Sequence, residues 1–155
     1  MSIVTLWTAA LCKPDPGYGG WAYVRRNADG TLAGAAGGER RVSGVRMVLS
    51  GLIEALTALA DLPAQTAATL YFAERSLAAE LVTPDGAYAL GEPEAWATAR
   101  KLLAACPVLT LAPLADTTPA AGFLKAWADF GLDTAKTRGT FKAAIPKPNL
   151  LKFPG

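Results

Sequence analysis

Apolar positions change their period along the chain, and those changes mark out its elements. Residues 3–8 place Ile3, Thr5 and Trp7 on one side and Val4 and Leu6 on the other, which predicts a buried strand. Lys13-Pro14-Asp15-Pro16-Gly17 forces a turn, and Gly19-Gly20 leads into a second strand over 21–26. Asn27-Ala28-Asp29-Gly30 predicts a hairpin. A third strand follows, broken by Gly34, Gly37 and Gly38 and ending near Val42. Leu49, Leu52, Ile53, Leu56 and Leu59 then recur at helical steps, a stripe that Ser43 caps and Leu62-Pro63 ends. Residues 69–72 read as a short apolar strand, and 74–82 as a short helix stopped by Thr83-Pro84-Asp85-Gly86. Pro93 suits the first turn of a helix carrying Trp96, Leu102 and Leu103, and 108–111 reads as a fifth strand. Thr118-Pro119 opens a final helix with Phe123, Leu124 and Trp127 inward and Gly131 as its stop.

Tight connections make the first three strands antiparallel, and helical crossovers make the later two parallel to a neighbour. The expectation is an α/β fold, a mixed five-stranded sheet with helices on both faces. From Thr134 the character changes. Residues 134–155 hold Lys136, Arg138, Lys142, Lys147 and Lys152, no acid, and three prolines, which predicts an extended basic tail after a domain over 1–133. The domain carries ten basic and thirteen acidic groups, so an overall charge of +2 hides a body near −3 and a tail of +5.

Composition narrows the chemistry. At 155 residues and 52% apolar, the chain suits one globular domain. No apolar run reaches the roughly 18 residues of a membrane span, and the first twelve residues carry no Lys or Arg, so no secretory signal is expected. Cys12 and Cys106 supply neither a disulfide framework nor a zinc set, which points to a reducing cytoplasm. There is no histidine. That removes Ser-His-Asp and Cys-His catalysis and any imidazole shuttle.

Two separated motifs then carry a resemblance. Thr8-Ala9-Ala10-Leu11-Cys12-Lys13-Pro14-Asp15-Pro16-Gly17-Tyr18-Gly19-Gly20-Trp21 aligns without a gap on a first-strand signature that ends T-D-G-S and turns into G-G-[YW]-G. Arg46-Met47-Val48-Leu49, continued by Leu52-Ile53-Glu54-Ala55-Leu56, fits a helix that opens R-M-E-L. With the element order, residues 3–132 resemble the type 1 ribonuclease H family. The resemblance implies a ribonuclease H-like fold and two magnesium ions held by carboxylates from four elements, acting on RNA–DNA hybrid. Those four acids fall on Ala9, Val48, Ala73 and Ala121 (or Gly122). Hard cations need anionic oxygen ligands, so the resemblance implies a pseudo-nuclease with no catalytic residue, metal or cofactor. A displaced site built from Glu74 and Asp116 is the alternative.

Binding candidates remain. Arg25-Arg26 and Arg40-Arg41 lie on adjacent antiparallel strands, which allows up to four guanidinium groups to meet phosphates. The competing reading is a solvated sheet face. Arg46 aligns with the family arginine. Lys136, Arg138 and Lys142 in the tail suit phosphate, but Phe141, Ile145, Leu150, Leu151 and Phe153 suit packing on the body or on a partner, with the vacated metal cleft as one berth. The region 83–94 carries only acids, unlike the basic protrusion of some bacterial members. The expected partners are a protein or a second copy, with nucleic acid, including RNA–DNA hybrid, as the alternative, and no membrane.

Overall fold

A computed structural model describes residues 3–14, 16–59, 62, 66–72, 91–106 and 108–155. Its elements are β1 (Ile3–Lys13), β2 (Gly17–Arg26), β3 (Leu32–Val42), α1 (Gly44–Thr57), β4 (Ala67–Phe72), α2 (Pro93–Ala104), β5 (Leu109–Pro113), α3 (Pro119–Arg138), β6 (Phe141–Ala144) and α4 (Lys147–Leu150). The expected helix over 74–82 and its stop lie outside the described residues.

The sheet runs β5-β4-β1-β2-β3-β6. β1, β2 and β3 form an antiparallel meander, and β4 and β5 add in parallel. The expected mixed topology is present, and the ribonuclease H-like α/β arrangement with it. A sixth strand corrects the expected five: β6 pairs antiparallel with β3, with Ala35 opposite Ala144.

Alternation along β1 divides the core. Val4 and Leu6 point to one face, where they pack with Leu49, Leu52 and Leu56 of α1 and Trp96 of α2. Trp7 and Ala9 point to the other, against Ala121, Leu124 and Ala128 of α3. Ser43 caps α1 as expected, its hydroxyl accepting from the Arg46 amide at 3.0 Å. Thr118 caps α3 in the same way through the Ala121 amide.

Two expectations for the glycines are overturned by one contact. β3 runs unbroken through Gly34, Gly37 and Gly38, and α3 passes through Gly131 to Arg138. A Cβ at Gly131 would collide with the Gly37 carbonyl, and one at Gly38 with the Gly131 carbonyl. These glycines let the helix backbone rest directly on the strand backbone; they neither break the strand nor stop the helix.

The expected extended tail also needs correction. Residues 134–138 finish α3, and the chain then folds back as β6 and α4. Ile145, Leu150 and Phe153 are buried in the α3-side cluster. Ile145, Leu150 and Phe153 thus pack within the chain while Leu151 stays exposed, because five cations spread over residues 136–152 can stay solvated while those apolar side chains turn inward.

Candidate functional site

Three of the positions on which the resemblance puts metal ligands, Ala9, Val48 and Ala121, are apolar and enclosed. Ala9 lies opposite Ala22 in the β1–β2 register and is 4% exposed. Ala121, in the first turn of α3, is fully buried in the same cluster. Val48 is 7% exposed and packs in the cluster on the other face. At Gly122, the alternative alignment, a Cβ would meet open space. Ala73 lies outside the described residues, as does Glu74. The neighbouring Thr8 hydroxyl is turned to the Ala22 carbonyl at 3.2 Å. Side chains of this kind offer a magnesium ion no anionic oxygen, so positions 9, 48 and 121 do not fit the metal pair that the fold family implies.

Asp116, offered as a substitute ligand, is 73% exposed and paired with Lys125 at 2.8 Å. Among the described residues, no three Asp, Glu or Cys side chains gather as a metal site would require.

The arginines do not form one cluster. Arg25 pairs with Ala33, and Arg40 lies seven residues further along β3, ~24 Å of strand away. The hairpin register sends the two pairs to opposite ends of the strands. Three of the four are engaged internally. Arg25 donates to the carbonyl of Ala58, the C-cap of α1. Arg40 donates from Nε to the Ala135 carbonyl at 2.7 Å and from Nη2 to Lys136 at 3.0 Å, closing the end of α3. Arg26 lies over the Trp7 ring at 5.0 Å and donates to the Gly155 carbonyl. Arg41 is exposed, with φ of 55°.

The remaining cations divide similarly. Arg46 spans Glu39 at 3.6 Å and Glu92 at 3.4 Å, and Lys142 meets Glu54 at 3.2 Å. Glu39, Arg46, Glu54 and Lys142 line a groove between α1, α2 and β6, with Trp21, Ile53 and Phe141. Lys136 pairs with Asp133 at 3.8 Å and lies 5.5 Å from the Tyr18 ring. Arg138 is exposed at the helix end, two residues past Lys136, whose carbonyl accepts from Arg40.

Sequence reasoning missed the acids that neutralise Arg46 and Lys142, because Glu39, Glu54 and Glu92 lie on three different elements. It also missed an aromatic group on the α3 face. Trp7 stacks on Tyr71 at 5.8 Å, and Phe153 stands edge-on to both Trp7 at 4.8 Å and Phe123 at 5.1 Å. The one available signal was the tail aromatic itself.

Burial governs the two shifted groups near the α1 face. It pushes the Cys106 thiol up, and with the Glu54 carboxylate it raises the Tyr23 phenol, against a smaller lowering by Arg25. Neither is turned into a nucleophile or a base by its surroundings.

No family model matches the chain. Among curated proteins, ribonuclease H of Acidiphilium cryptum is 44% identical over 59 residues, which is 37% of this chain and 35% of that protein. Ribonuclease H of Bordetella pertussis is 41% identical over 56 residues, 36% of each. The matched stretch thus spans about a third of the length of these relatives. Among solved structures, the N-terminal ribonuclease H domain of a Mycobacterium tuberculosis protein aligns with a TM-score of 0.71 at 16% identity, covering 88% of this chain and 97% of that one. Ribonuclease H1 of Halobacterium salinarum gives 0.68 at 22%, covering 86% and 99%. LC11 ribonuclease H1, solved in complex with an RNA/DNA hybrid, gives 0.68 at 15%, also covering 86% and 99%. The chain therefore has a ribonuclease H-like fold over nearly the whole domain, and about a third of it is similar, at above 40% identity, to proteins named ribonuclease H.

Proposed function

We propose that this chain is a ribonuclease H-fold domain that does not cleave nucleic acid and works in the cytoplasm as a protein-interaction or scaffold module. The observation that carries this reading is the enclosure of Ala9 and Ala121 in one apolar cluster, at two positions where the family resemblance calls for carboxylates. The internal use of Arg25, Arg26, Arg40, Arg46 and Lys142 supports the same reading, since cations held by carbonyls and carboxylates are poor phosphate contacts.

A second reading keeps nucleic acid as the ligand without cleavage. It is favoured by the exposed Lys136 and Arg138 in the last turn of α3, by the exposed Arg41, and by the hybrid bound to the LC11 enzyme. A third, an active nuclease with displaced ligands at Glu74 and Asp116, is weakened by the Asp116–Lys125 pair.

One titration separates the three. The protein is added to a fluorescently labelled RNA–DNA hybrid with Mg²⁺ at two salt concentrations, reading anisotropy and strand length. The interaction reading expects no hybrid binding at micromolar protein and an intact strand. Salt-sensitive binding with an intact strand would establish the second reading. Strand shortening that is prevented when the metal is chelated beforehand would establish the third.

A further inference from the structure

Residues 141–155 leave α3 through Gly139 and Thr140 and are held by residues distant in sequence. β6 adds to the edge of β3, and the Ile145 amide donates to the Gly34 carbonyl at 2.9 Å. Ile145 and Leu150 lie over Gly34, where a Cβ would press on both. Phe153 stands between Trp7 and Phe123, and Arg26 holds the Gly155 carbonyl. The berth is shaped for this segment, and every contact in it is equally available from another copy of the chain.

The closed path depends on one backbone conformation. Gly139 has φ of 82° and ψ of −158°, a region essentially closed to residues with a side chain. An extended Gly139 would carry the segment away from its own body. Apolar side chains are exposed beside this hinge. Phe130 is 44% exposed, edge-on to Trp127 at 5.4 Å and to Phe141 at 5.7 Å. Leu151, on the segment itself, is 84% exposed. A reciprocal exchange brings two hinges together, which gives these rings a partner surface.

We propose that residues 141–155 form an exchangeable arm, seated on its own body in the monomer and on a second copy in a homodimer, with Gly139–Thr140 as the hinge. The proposal rests on the interaction-module reading for its premise of a protein partner, and it names that partner as the chain itself.

Cross-linking tests it in the full chain. Ala35 and Ala144 face each other in the β3–β6 register, and opposite residues in such a ladder sit about 4.5–5.5 Å apart at Cα, within disulfide range. The variant Ala35→Cys/Ala144→Cys is made with Cys12→Ser and Cys106→Ala, incubated from dilute to concentrated, oxidised, and unfolded in non-reducing detergent. An arm on its own body gives a bridged monomer, and an exchanged arm gives a covalent dimer. The expected result is a dimer share that rises several-fold with concentration, and several-fold again with Gly139→Ala, which disfavours the closed hinge. Bridged monomer alone at every concentration, in both hinge forms, would overturn the exchange while leaving other protein partners open. Unbridged chains throughout would also overturn it, since the arm would then be seated opposite Ala35 in neither copy.

Discussion

Arg40 closes the long helix at Ala135: its Nε reaches the Ala135 carbonyl at 2.7 Å across 95 residues of chain. The last turn of a helix presents under-satisfied carbonyls and a partial negative charge; the Gly139 amide already donates to the Ala135 carbonyl, and the guanidinium adds a second donor there and one to Lys136. Arg25 does the same for α1 at Ala58. Arg25 and Arg40, which a linear reading offers to phosphate, are helix caps in the folded chain.

Replacing Arg40 by methionine keeps much of the side-chain stem and removes the cap. The expected loss is about 1 kcal/mol, because the site is open to solvent. Urea unfolding monitored by tryptophan fluorescence measures it. Lysine at the same position should recover only part of the loss, since it cannot donate to Ala135 and Lys136 in the same fork.

Two glycines of α3 should respond oppositely to the same change. Gly122 has open space where a Cβ would stand, so Gly122→Ala is expected to stabilise the protein by roughly 0.5–1 kcal/mol through helix propensity. Gly131→Ala drives a methyl group into the Gly37 carbonyl and should cost about 3 kcal/mol or displace the helix. Thermal unfolding of the pair checks the prediction, and a destabilised Gly122→Ala or a neutral Gly131→Ala would contradict the helix–strand contact.

Restoring acids tests the alignment behind the inactive reading. Ala9→Asp alone should destabilise by about 3 kcal/mol, because it places a carboxylate in an apolar cluster. In the triple variant Ala9→Asp, Val48→Glu, Ala73→Asp, millimolar Mg²⁺ should raise the melting temperature if the three positions converge on a cation, and should leave the parent unchanged. A triple variant indifferent to Mg²⁺ would argue against the mapping.

The hairpin turn carries a pH signature. Thr31 donates its hydroxyl to the Asp29 carboxylate at 2.6 Å and its amide at 2.9 Å, and these bonds hold the Asp29 carboxyl below its ordinary value. A depressed folded value means that the turn's contribution is present above the unfolded carboxylate range and is lost as pH falls through the folded one. Carboxyl NMR titration should show the low midpoint, and Thr31→Val should move it back up by removing the hydroxyl bond, the first of its causes.

The family fold was legible because its signals are local. Alternation over residues 3–8 put Trp7 and Leu6 on opposite faces, and the folded β1 keeps them there. Ser43 caps the helix it was expected to cap, and Thr118 caps the helix that Thr118-Pro119 was expected to open, since a hydroxyl three residues before an amide needs nothing distant to reach it. The edge strand β6 was not legible. Its four residues, Phe141-Lys142-Ala143-Ala144, have no strand pattern of their own and are strand only because Ala35 to Gly38 stand opposite.

Residue identity alone decided that no imidazole chemistry exists here and that positions 9, 48, 73 and 121 bear no carboxylate. Those are statements about which atoms are present. The tertiary structure decided what the charged and small residues do: Arg25 and Arg40 at helix ends, Arg46 between Glu39 and Glu92, Gly131 against Gly37, and Phe153 against Trp7. Each partner lies on another element, brought into reach by sheet register and helix docking. Periodicity within a short window carries no information about such pairs, because the side chain's energy depends on what the rest of the chain delivers to it.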